Sequence, residues 1–150
     1  MIGNIGYERR LQALERRARE IGYGVPRFGS WTPELWQNGA QLSITLDSAM
    51  FLAVGPLVFL HARFVVAATG AVGLMEIRNL PYQAAYSCIG GHTNVFNGGV
   101  NRIGATRIST GTTVSLMTID NQASDFGTAP AVALAIGDGV RMSAMYFRSL

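Results

Sequence analysis

The side chains best able to do chemistry in this 150-residue chain are two histidines, one cysteine and the six acids that follow residue 20. His61 falls inside an alternating stretch, between Leu60 and Ala62 and on the same side as Phe59 and Arg63. His92 falls in the glycine-rich segment IGGHTN, which reads as a turn. Neither has the HxH, HxxxH or HExxH spacing that brings imidazoles onto one metal. Cys88 is the single cysteine, so no internal disulfide can close, and it reads as a small buried apolar residue. Glycosidic chemistry needs two carboxylates held roughly 5–10 Å apart. Glu34, Asp47, Glu76, Asp120, Asp125 and Asp138 show no pairing, and the aspartates sit in turn-like contexts (LDSA, IDNQ, SDFG, GDGV). The chain contains no lysine, which removes a P-loop lysine, a Schiff-base lysine and a Ser–Lys dyad. IGGHTN and FNGG lack both that lysine and a following helix, so neither reads as a phosphate loop. The expectation is a protein that is not an enzyme, with no catalytic residue, metal or cofactor.

The residue types left are those of recognition. NVFNGGVN brings Asn94, Phe96, Asn97 and Asn101 near His92, and TIDNQASDF brings Asp120, Asn121, Gln122, Asp125 and Phe126 together. Amides and short acids beside an aromatic ring can hydrogen-bond and stack on sugars. His92, Asn94, Phe96, Asn97, Asn101, Asp120, Asn121 and Asp125 are therefore the candidate receptor-binding loop residues.

Composition narrows the partners. Charged residues make up 14% of the chain, against roughly 25% in an average soluble domain, which points to surface covered by partners. The net charge is +3, and five of the twelve arginines lie in the first twenty residues. Beyond them the chain is nearly neutral, with no clustered basic face for nucleic acid. The apolar stretch from Ala49 to Met75 is long enough to span a bilayer, but Gly55-Pro56 breaks it and His61 and Arg63 occupy its centre. It reads as two buried strands and a turn, without membrane insertion. The absence of disulfides and of an apolar signal core predicts synthesis in a reducing cytosol.

Two kinds of element must position these groups. Tyr7, Leu11, Leu14, Ala18 and Ile21 recur at spacings of four, three, four and three among charged residues, the pattern of a self-associating helical seam. Asn4 is placed as its N-cap and Gly22 as its stop. GVPRFG then reads as a linker. Beyond it the period drops to two: LSITL, VFLHARFVV, GLMEIRNL, YSCIG, RIGATRIS, TTVSLMTI, AVALAI and VRMSAMYFR, separated by Gly-, Asn- and Pro-containing turns. The fold class expected is mainly β, an antiparallel sandwich or barrel head behind a short N-terminal coiled-coil α-helix. The divisions are residues 1–23 for the helix, 24–30 for the linker and 31–150 for the head.

The order of motifs resembles the short C-terminal β-domain of tailed-bacteriophage tail fibres and receptor-binding proteins. GSWTPEL (Gly29 to Leu35) matches its opening, MFLAVGPLVFLHARFVV (Met50 to Val66) its central strands, and GLMEIRNLPY (Gly73 to Tyr82) its glycine-marked strand and turn. VRMSAMYFRS is similar to its closing strand. Pro56 and Ala144 depart from the pattern, and no receptor residue transfers by motif. The resemblance implies a jelly-roll-like β-sandwich and a homotrimer with helices bundled along its axis. It further implies a virion location and non-catalytic host attachment; the partners expected are other virion proteins of the tail, baseplate or capsid and, from the amide- and aromatic-bearing loops, a host surface glycan. A capsid decoration role, as a head fibre or cement protein docked on the shell, is the alternative.

Overall fold

The computed structural model describes residues 4–20, 25–111, 113–118, 121–125, 127 and 131–149. Helix α1 spans Asn4–Glu20. Eleven strands follow: β1 Arg27–Ser30, β2 Glu34–Gln37, β3 Ala40–Leu42, β4 Ile44–Val54, β5 Leu57–Val66, β6 Met75–Arg78, β7 Cys88–Asn97, β8 Val100–Ile108, β9 Thr113–Thr118, β10 Asn121–Asp125 and β11 Gly139–Phe147. Among the described residues every strand pairing is antiparallel, and a mainly β, antiparallel class with one short helix is what they adopt.

Turn chemistry explains the hairpins. Asn38 and Gly39, between β2 and β3, both have positive φ (50° and 78°), as do Gly98 and Gly99 between β7 and β8 (55° and 81°). Two consecutive left-handed residues make the type I′ turn whose twist matches paired strands. The Ala49–Met75 stretch is a hairpin of β4 and β5 turning at Gly55-Pro56, followed by the run to β6. Among the described residues no helix is long and apolar enough to cross a membrane.

The strand order is β1-β4-β5-β11-β7-β8-β9-β6-β2-β3, with β10 beside β9. β3 and β4 lie near opposite ends of this order, yet Ser43 alone separates them in sequence. A single intervening residue holds Leu42 and Ile44 within about 7 Å, so the sheet must curl until its ends meet. The Ala67 N–H donates to the Ser43 carbonyl there at 2.8 Å. One core fills the curl. Val58, Leu60, Ala62, Phe64 and Val66 of β5 and Val140, Met142, Ala144 and Tyr146 of β11 point into it, as their alternation predicts. Trp31 is buried and its indole N–H donates to the His61 carbonyl at 3.4 Å, while the Arg78 guanidinium lies 4.2 Å over the Trp36 ring.

Several expectations need correction. Residues 24–30 are not simply a linker, since Arg27–Ser30 forms β1 and extends the sheet along β4. AVALAI is not a strand: Ala131 makes an isolated bridge to Gly127 and residues 132–136 form a loop. Its apolar alternation is real, because Leu134 is fully buried, but its backbone is satisfied differently. The buried Gln37 side chain donates to the Val132 carbonyl (2.8 Å) and accepts from the Leu134 N–H (3.0 Å), replacing a ladder with one amide.

IGGHTN is not a turn but the start of β7, with a register shift between Ile89 and Gly91. A Cβ on Gly90 or Gly91 would overlap the Met145 or Ser143 carbonyl oxygen. The glycine pair therefore marks close backbone approach at a bulge, not chain reversal. Asp47 likewise lies in a strand, at the register shift between Leu46 and Ser48 of β4.

Candidate functional site

The register of β4, β5, β11, β7 and β8 stacks the outward side chains into rows across the sheet. Phe28, Leu52, Phe59 and Met145 form one row, and Met50, His61, Ser143 and His92 the next. Ser48, Arg63, Arg141, Asn94 and Ile103 form a third, then Val65, Gly139, Phe96 and Asn101 a fourth. The face thus grades from apolar, through a histidine–serine row, to an arginine–amide row.

In the histidine row, Ser143 Oγ and His92 Nδ1 are 2.9 Å apart, the separation of a nucleophile from its base. The surroundings are those of a polar ladder. β11 and β7 are each paired on both sides, so the two groups stand on the outward face of paired strands.

Beside the arginine row is an open depression of about 390 Å³, lined by Arg63, Arg141, Asn94, Phe96, Asn101 and Gly139 among others. Within it Gly139 contributes no side chain between its register partners Val65 and Phe96. A Cβ placed there would meet Phe96 Cβ at 3.9 Å, an ordinary contact. Arg63 and Arg141 are directly opposite each other on adjacent strands. Arg63 Nε pairs with Asp47 Oδ2 at 2.9 Å, and Arg141 has no counter-charge among the described residues. The site therefore carries one uncompensated positive charge. Its rim is fixed by Asp138, which is buried and accepts from the Ala135 N–H (2.7 Å), the Gly98 N–H (3.2 Å) and Asn97 Nδ2 (2.5 Å).

Of the candidate residues, Asn94, Phe96 and Asn101 meet in this depression, with His92 in the adjoining row. All four lie on strands, not loops. Asn97 faces inward and its amide is held by Asp138 and the Ala133 carbonyl (3.2 Å), so its role is to tie the β7–β8 hairpin to the 131–138 loop. Asn121 and Asp125 belong to β10, which pairs with β9, and Asp120 lies outside the described residues. Of the seam residues, Leu11 and Leu14 are exposed on α1, Tyr7 and Ala18 lie on the same helix, and Ile21 is outside the described residues.

Sequence reasoning missed Arg63, Arg141 and Gly139. The signal was present in the alternation of VFLHARFVV and VRMSAMYFR, which puts each arginine on an outward position, but only pairing of those two strands sets them opposite each other. Among the described residues no group of three or more His, Cys, Asp or Glu side chains could hold a metal ion. Burial pushes the Cys88 thiol pKa up, away from the thiolate that nucleophilic chemistry needs. No family model, curated protein or solved structure matches the chain.

Proposed function

We propose that this chain is a non-catalytic attachment protein of a tailed bacteriophage, a homotrimeric short tail fibre whose β-head binds the host surface. In this reading the curled sheet is a jelly-roll-like sandwich, α1 forms a three-stranded coiled coil, and the assembled protein resides on the virion. The observation that carries it is the exposed depression set on paired strands, whose arginines, amides and aromatic ring are groups of recognition, not of proton transfer. The helix supports self-association: residues 11–17 are exposed all round, so the Leu11 and Leu14 stripe is not covered by its own head. The motif series from GSWTPEL to NLPY supplies the phage context.

The test is adsorption. Host cells preincubated with the purified chain should adsorb the parent phage more slowly, and the chain should pellet with those cells. A chain that neither sediments with host cells nor slows adsorption contradicts the reading. The exposed Arg10 and Arg17 of α1 favour the second reading, docking on an acidic capsid shell as a decoration protein. Sedimentation of the chain with fibreless capsids, and not with host cells, would favour that assignment.

A further inference from the structure

We infer that the depression beside Gly139 is a subsite for the carboxylate of an acidic sugar, held by Arg141 and Arg63 with Asn94, Asn101 and Phe96 around it. The inference rests on the receptor-binding reading and deepens it by naming the ligand's chemistry. Like charges directly opposite on paired strands repel, so the Arg63–Arg141 pair weakens the fold unless something compensates it. Asp47 compensates Arg63 alone. The remaining charge is single, faces solvent and lines a concave site, which fits a monoanion. A guanidinium fork is matched in shape by a planar carboxylate, which it can bind through two parallel hydrogen bonds.

The neutral part of the lining specifies the rest of the ligand. Asn94 is the cross-strand neighbour of Arg141, and Asn101 of Phe96. Their amides offer both donors and acceptors to sugar hydroxyls, and the half-exposed Phe96 ring offers a stacking surface. The volume of about 390 Å³ lies at the low end of small-molecule sites, which run from roughly 300 to 1,000 Å³. Two arginines, one of them already paired, are too few to follow a nucleic-acid backbone. Gly139, one of the lining residues, has room for a side chain in its own strand.

The experiment uses the full chain on immobilised saccharides: sialyllactose, oligogalacturonate, their carboxyl-reduced counterparts, and a phosphorylated oligomannose. The inference predicts binding to at least one carboxylate sugar, weakened about tenfold or more by carboxyl reduction and by Arg141→Gln, as expected for loss of one charged hydrogen-bonding group. Gly139→Val, which projects a branched side chain into the depression beside Phe96, should also weaken binding while the melting transition stays cooperative. Equal binding of the reduced sugars, preference for the phosphorylated one, unchanged binding by both variants, or no acidic sugar bound would each overturn it. Host-cell sedimentation separates the two claims. If wild type and Arg141→Gln adhere equally, the subsite is wrong and the receptor reading stands; if acidic sugars bind but cells do not, the receptor reading is wrong.

Discussion

Gln37 shows how much a single side chain can organise. It is fully buried, and its amide replaces a strand pairing for the loop that carries Leu134 into the core. Gln37→Leu keeps the volume but strands a carbonyl and an N–H, so it should cost about 2–4 kcal/mol in urea unfolding. Arg141 works in the opposite direction. Arg141→Gln relieves the repulsion with Arg63 and should raise stability by about 0.2–1 kcal/mol in the absence of ligand, measured the same way.

Tyr146 gives a pH signature. Burial pushes its pKa from 10.0 up to about 12, and its hydroxyl donates to the Tyr82 carbonyl at 2.8 Å. A raised pKa means the folded state keeps a proton that the unfolded state loses. Its contribution is therefore whole below about pH 10 and lost as pH climbs to about 12. Alkaline unfolding followed by circular dichroism should show that slope, and Tyr146→Phe should flatten it.

At the scale of elements, β5 and β11 were legible residue by residue. Burial alternates along both strands, and His61 and Arg63 of β5 and Arg141 and Ser143 of β11, all at outward positions, fix which face is the core. The Asn38-Gly39 and Gly98-Gly99 turns were equally readable, since few residues tolerate two successive positive φ values. Gly90-Gly91 was not, because a glycine that permits a close backbone approach has the same sequence as one that reverses the chain. AVALAI misled for a related reason: alternation reports which side chains are buried, not what satisfies the backbone between them. The helix seam is a claim of this scale as well. Leu14→Asp places a charge where identical helices would meet and should dissociate the assembly to single chains. Light scattering checks it, and an unchanged mass would mean that the heads hold the subunits together.

For the whole molecule, the candidate site emerges from long-range pairing. Arg63, Arg141 and Asn94 become neighbours only because the last strand inserts between β5 and β7. Local patterning could supply Asn94, Phe96 and Asn101, which one hairpin holds together, but not their arginine partners. The molecule exposes 8820 Å², against about 7,400 Å² for a compact monomer of 16.1 kDa. Leu11 and Leu14 of α1 and the apolar row of Phe28, Leu52, Phe59 and Met145 are where such surplus surface is exposed.

The central claim is that this surplus is covered in a phage particle and the arginine–amide face is presented to the host. Immunogold labelling of intact particles tests it most directly. The account predicts gold at the distal end of the tail, with label reduced once particles have adsorbed. Label confined to the capsid, or none on particles whose tails are fully accessible, would contradict it.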